Sequence, residues 1–325
     1  MRASGGDLCA ALSNLNFGRP VFSNSIDPAV LGGWGSRSGD WQIGASVQQE
    51  VFARVSVEVG YFRRWLQNFL VTDNRAVTAA DFDRFSVTAP TDPRLPDGGG
   101  QVIDNLFNVR PALFGVTDNY VTAAESFGTQ YQRYNGLMIN LSARPRAGLT
   151  LQAGFNTGKT VTDTCELRAV LPEISPTNPV CHNDPGLVTR VTGLGAYTIP
   201  RVLVLVSGTF RSDQGLPLAA NYAVPSAVVA QTLGRLPSGN VPNVTVNLLK
   251  DGDQWGDRIN ELDLRIAKVL RFGRTRTNVG VDIYNVMNSS AVLSYNQTFV
   301  LGGPWLTPLS VLTPRFAKFS AQIDF

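Results

Sequence analysis

Apolar and polar residues alternate along much of this chain with a period of two, the repeat of an extended strand with one face apolar. Across residues 149–156, Leu149, Leu151, Ala153 and Phe155 fall on one face and Thr150, Gln152, Gly154 and Asn156 on the other. The split recurs at 41–51 (Ile43, Ala45, Val47 against Gln42, Gly44, Ser46, Gln48) and at 54–61 (Val55, Val57, Val59, Tyr61 against Arg54, Ser56, Glu58). It returns at 259–268, with Leu262, Leu264 and Ile266 opposed to Glu261, Asp263 and Arg265. Nine strands are predicted: 41–51, 53–69, 130–144, 149–161, 188–199, 201–212, 259–271, 276–288 and 314–325. Their joints alternate in length. The first two nearly abut, and others meet at Pro145-Arg146-Ala147-Gly148, at Ile199-Pro200-Arg201 and at Phe272-Gly273-Arg274-Thr275. Between these lie long connections, 70–129, 162–187, 213–258 and 289–313, rich in Pro, Gly, Asn and Asp. Repeated loops beyond about 15 residues count against an ordinary globular domain. Short turns at one end and long loops at the other are the pattern of an outer-membrane barrel. The expected fold is therefore all-β: an antiparallel transmembrane β-barrel with short periplasmic turns, long extracellular loops and its last strand ending at the periplasmic face.

Composition narrows the alternatives. Charged residues are 16% of the chain, against about 25% in soluble domains, yet no run approaches the roughly 18 apolar residues of a membrane helix. A hydrophobic content of 43% with a net charge of +3 argues against disorder, and that charge is too small to point to nucleic acid. Strands in a closed sheet satisfy their backbone groups within hydrocarbon while only half their side chains need be apolar, which accounts for a mean hydropathy of zero. Lys268 breaks the apolar register of Leu262, Leu264 and Ile266. It lies near a short turn, where the cost of a lipid-facing cation falls from about 2–4 to about 0–1 kcal/mol.

Candidate chemistry is sparse. Cys165 and Cys181 flank a Pro/Asn-rich stretch and read as a disulfide closing one loop in an oxidising compartment, with two unpaired thiols as the alternative. A metal at His182 is the weakest reading, since no CxxC or HxxxH spacing accompanies it. Cys9 is read as incidental. Asp251, Asp253 and Asp257 lack the order of a calcium loop, and Gly98-Gly99-Gly100 lacks the Lys-Ser/Thr of a phosphate loop. No nucleophile motif stands beside the single histidine, so no catalytic residue, cofactor or metal is expected and the chain is not read as an enzyme. Trp34, Trp65, Trp255 and Trp305 fall at strand ends or in loops. Their expected place is the interfacial aromatic girdle, and stacking on a sugar or peptide is the alternative.

The closing strand sets Phe319, Ala321, Ile323 and Phe325 against Lys318, Ser320, Gln322 and Asp324. A terminal Phe on such a strand is similar to the signal read by the outer-membrane assembly machinery, which works by strand addition. The run LDLRIAKVLRFGRTRTNVGVDIYNVMNSS, a loop with Trp305 and Pro308, and the closing PRFAKFSAQIDF resemble the C-terminal end of TonB-dependent outer-membrane receptors. The large Oar-like type with a carboxypeptidase-regulatory-like domain is the nearest resemblance. Further matches are WQIGASVQQEVFARVSVEVGYFRRW, YQRYNGLMINLSARPRAGLTLQAGFNTGKTVTDTCE and GLGAYTIPRVLVLVSGTF, so that the likeness covers residues 30–325. The resemblance implies a barrel of about 22 strands with a plugged lumen, contact with the TonB complex through an N-terminal plug, and uptake of a scarce or large solute. The forty residues before Trp41 are too few to be read as a plug, and residues 1–20 have no apolar stretch of signal-peptide length. The chain is accordingly expected to be a C-terminal portion holding about nine to twelve strands. Residues 1–40 would be a remnant of upstream barrel, 41–325 the barrel wall, and its partners outer-membrane lipid, the assembly machinery and an unidentified solute. Two other readings remain open: a self-contained passive barrel or porin, which needs a further strand, for example within 82–90, and a soluble β-sandwich binding module.

Overall fold

The structure, a computed structural model, describes residues 23–33, 35–272 and 275–324. The chain is all-β, with most strands in antiparallel sheets and only short helices. Nine long strands make one up-and-down sheet: β1 (Gly39–Phe52), β2 (Val55–Gln67), β3 (Tyr131–Ala143), β4 (Leu149–Asp163), β5 (Val188–Ile199), β6 (Val204–Asp213), β7 (Ile259–Phe272), β8 (Thr275–Tyr284) and β9 (Phe316–Asp324). Each pairs antiparallel with its neighbour in chain order, and a two-residue strand, His182–Asn183, adds to the end of β4. All nine predicted segments become strands of this sheet. Two ends differ for local reasons. The expected strand 276–288 stops at Tyr284 because Asn285 takes a left-handed φ of 48° and donates its buried amide to the carbonyls of Ser289 and Thr313, each at 2.8 Å. The expected start at 201 moves to Val204, since Leu203 has φ 51° and closes the turn.

Register carries the alternation across the sheet. Val47, Val59, Ile139, Phe155 and Val191 stand in one cross-strand row, and Tyr197, Val206, Ile266, Val281 and Phe319 in another. Both rows are on the same face, which is uncovered: Val47 is 72% exposed, Ile266 54% and Phe319 79%. A β-sandwich would bury this face against a second sheet about 10 Å away; among the described residues no second sheet covers it. The other face carries Gly44, Ser46, Gln48, Gly60, Asn140 and Asn156, and several of its charges are paired, as in Arg265 with Asp282 at 2.8 Å. Along the path of the sheet, β1 and β9 each have one partner, so the described strands form an open sheet rather than a closed ring.

The four short joints lie at one end of this meander and the four long connections, 68–130, 164–187, 214–258 and 285–315, at the other. Sequence reading treats the long connections as loops, but they fold. Leu70–Asn74 pairs with Asn119–Ala123, Asn221–Pro225 lies between Asn243–Asn247 and Thr298–Phe299, and Val292–Tyr295 pairs with Pro308–Val311. The strand sought within 82–90 exists as Phe82–Thr88, but it pairs with Val102–Val109 inside this cap and adds nothing to the sheet. The apolar core also sits in the cap. Its main cluster gathers Leu106, Val224, Val229, Val246, Phe299 and Trp305, and a smaller one gathers Val71, Ala124, Leu167 and Leu171. Neither cluster takes a residue from the nine long strands. Apolar burial, worth about 25 cal/mol per Å², therefore stabilises the cap, while the sheet keeps its apolar side chains outward.

Candidate functional site

The cap and the polar face beneath it hold the cavities and side-chain clusters from which a site can be built. Arginines tie the connections together. Arg235, from the third connection, donates to the Asp83 carboxylate at 2.8 and 3.0 Å, to the Asn108 amide oxygen at 2.8 Å, and to the carbonyls of Asn108 and Val109. Its hydrogen bond is the main reason that the Asp83 carboxyl lies below its ordinary range. Arg94 grips Asp92 at 2.6 and 2.9 Å, donates to the carbonyl of Gly303 at 2.7 Å in the fourth connection, and lies beside the rings of Phe299 and Trp305. Asp92 is accordingly held well below the usual carboxylate range, chiefly by the Arg94 side chain. Arg168 is buried against the Phe107 ring and donates to the carbonyls of Asn105 and Ser175, joining the second connection to the first. Burial pushes the nearby Glu173 carboxyl up.

Cys165 and Cys181 are joined in a disulfide across a separation of 16 residues. The bond pins the start of helix Cys165–Val170 to the segment that re-enters the sheet at His182–Asn183. Closing a loop of about 15 residues restricts the unfolded chain by about 3 kcal/mol. Reduction is therefore expected to loosen this connection and to expose Arg168, now 6% exposed, to trypsin. Digestion followed by mass spectrometry checks this; equal cleavage after Arg168 with and without reductant would contradict it.

The predicted aromatic sites separate. Trp65 lies half-buried at the cap end of β2, on the apolar face and opposite Trp41, with Arg63 over its ring. Trp255 is half-buried in the third connection and bridges to Pro217. Trp305 corrects its expected place: it is 5% exposed in the cap core, donates its indole N–H to the Ala219 carbonyl at 3.0 Å and meets Phe299 edge-on. Its ring is enclosed by loops that fold over it, so it is not at an interface. Phe319 and Ile323 stand on the exposed apolar face of β9. Trp34, Cys9 and Phe325 lie outside the described residues. His182 has its Nδ1 2.8 Å from the Asp163 carboxylate. Asp251, Asp253 and Asp257 are engaged separately, by Asn183, by the amide of Lys250 and by the amide of Val292.

Three of the hollows among the described residues lie against candidate side chains. One, about 900 Å³, lies between the cap ends of β2 and β3, residues 27–30 and 35–36, and the cap segment 122–130, with Trp65, Tyr131 and Arg133 on its wall. A second, about 610 Å³, is framed by three connections and lined by Asp104, Cys181, His182, Lys250 and Asp253. The third, about 340 Å³, lies on the polar face of β1–β4 just below the cap, with Gln42, Phe62, Arg64, Gln132, Tyr134 and Thr160 around it. Sequence reading passed over the third, and over Trp41 as a partner for Trp65. The parity of Trp41 with Ile43 was a usable signal for the second, whereas the third appears only once four strands are in register. No protein-family model matches the chain, and no similar curated protein is found.

Proposed function

We propose that this chain forms part of the wall of an outer-membrane barrel of the TonB-dependent receptor kind. In this reading the apolar face meets lipid, the polar face lines a solute path and the folded cap covers its outer mouth. One observation carries the reading: nine strands in an up-and-down sheet leave an apolar face open and contribute no residue to either apolar cluster. Strands of 9 to 15 residues suit a bilayer, which a tilted strand crosses in about 9–11 residues. The unpaired edges of β1 and β9 are the positions at which further strands would close the ring, since an open edge in lipid leaves backbone groups unsatisfied. Insertion by the assembly machinery would begin at β9, where Phe319 and Ile323 face outward. Coupling to the TonB complex would run through a plug that this wall encloses, and the chain would take part in uptake rather than in catalysis.

The test compares neighbouring positions of β1. Val47→Cys and Ser46→Cys, each with Cys9→Ser and the disulfide retained, receive a fluorophore in vesicle-reconstituted protein. The Val47 label is expected to be quenched by lipid-borne nitroxide and the Ser46 label by aqueous iodide. Quenching of both labels by iodide alone would overturn the lipid-facing wall.

A further inference from the structure

The hollow below the cap has an unusual floor. Gln42, Arg64, Tyr134 and Thr160 stand opposite one another across β1, β2, β3 and β4, and the next row of the same face is Gly44, Phe62, Gly136 and Gly158. Three of the four positions in that second row have no side chain, and the aromatic rings lie down into the space. A Cβ at Gly158 would meet the Tyr134 hydroxyl at 2.6 Å, and one at Gly136 would meet the hydroxyl and, at 2.6 Å, the ring itself. A Cβ at Gly44 would meet the Phe62 ring at 2.9 Å, and one at Gly60, a row further, at 3.1 Å. Each ring thus rests on bare backbone and lines the hollow, and Tyr134 is 37% exposed.

The polar groups around these rings are mostly neutral. The side chains of Gln42, Gln132 and Thr160 and the Tyr134 hydroxyl line the hollow and make no hydrogen bond with protein among the described residues. The one cation, Arg64, is matched by Asp40 at 2.7 Å. Flat rings beside uncommitted amides and hydroxyls, with charge balanced, suit a solute whose faces are C–H and whose edges are O–H. Ring faces are electron-rich and attract C–H groups, amides and hydroxyls serve as both donors and acceptors, and pockets take their selectivity from a few such groups.

We propose that this hollow is a saccharide subsite: Tyr134 and Phe62 form the stacking platform, and Gln42, Gln132 and Thr160 bind ring hydroxyls. The proposal rests on the polar face being the wall of a solute path, and it names the class of solute as a neutral oligosaccharide. The glycines are then part of the site, because any side chain at Gly136 or Gly158 would lift the Tyr134 ring.

Saturation-transfer NMR tests it on the full chain, in a detergent without a sugar headgroup, with maltohexaose, cellohexaose and mannohexaose as probes and a capped neutral peptide as control. At least one saccharide is expected to bind in preference to the peptide. Tyr134→Ala is expected to weaken it by about tenfold or more, the equivalent of one aromatic contact, and Tyr134→Phe far less. Should Tyr134→Ala fail to fold, Gln132→Leu combined with Thr160→Val leaves the rings in place and is expected to weaken binding severalfold. Binding of none of the saccharides, preference for the peptide, or unchanged affinity in the folded variants overturns the subsite. The labels at Val47 and Ser46 report on the wall independently, so lipid contact without saccharide binding defeats only the subsite, and saccharide binding without lipid contact defeats only the wall.

Discussion

Trp305→Ala is expected to destabilise the cap by about 3–5 kcal/mol, the range for removing a large aromatic from a packed core. The ring is 5% exposed and meets Phe299 at 5.2 Å between centroids, with the Arg94 guanidinium 5.7 Å from its own centre. Its indole N–H satisfies the Ala219 carbonyl, linking the fourth connection to the third. Truncation opens a cavity, orphans that carbonyl and removes one of the two rings beside Arg94. Trp305→Phe keeps most of the volume and loses the hydrogen bond, so the loss should be nearer the net worth of one such bond plus some packing, about 1–2 kcal/mol. Hydrogen exchange distinguishes a cap effect from a global one. Amides of the small sheet at Val224 and Val246 should lose protection in Trp305→Ala while those of β6 and β7 keep theirs. Unchanged protection at Val224 and Val246 would mean that the ring is not the keystone its contacts indicate.

The difference between sheet and cap also explains what the chain reveals as sequence. The nine strands are legible because each alternates over many residues, with few exceptions such as Lys268, and because short turns fix which segments meet. Parity alone then puts Ile43, Val47, Leu264 and Phe319 on one face. The cap is not legible in this way. Its strands are short, such as Asn221–Pro225 and Val292–Tyr295, and their partners come from other connections. Trp305 has the local context of an interfacial residue, and only a carbonyl 86 positions away shows that it is buried. The cysteines were readable because both lie in one Pro/Asn-rich stretch, so that no distant partner had to be known. The hollow below the cap is intermediate. Gly44, Gly136 and Gly158 are visible as polar-face glycines, but their alignment beside Phe62 depends on the register of four strands. Register is a tertiary fact, which no single strand encodes.

The membrane reading has its sharpest consequence at the middle of β7. Ile266 lies on the apolar face between Val206 and Val281 and is 54% exposed. Its neighbour in sequence, Arg265, points to the other face and pairs with Asp282. If the apolar face meets hydrocarbon, Ile266→Arg should cost about 2–4 kcal/mol in a bilayer. The same substitution on the polar face, Thr209→Arg, places a cation opposite Asp263 and should change stability by no more than about 1 kcal/mol. Water on both faces predicts otherwise, since exposed substitutions usually stay within about 0.5 kcal/mol and both variants would then behave alike. Urea titration of vesicle-reconstituted protein, read by the electrophoretic mobility of the folded form, measures the difference. Lys268, on the same face two residues on, shows that a cation is accommodated toward the short turns. The cost should accordingly decline along the strand, largest at Leu264 or Ile266 and small at Leu270. A penalty that is flat along β7, or equal on its two faces, would leave the apolar face without a lipid to meet.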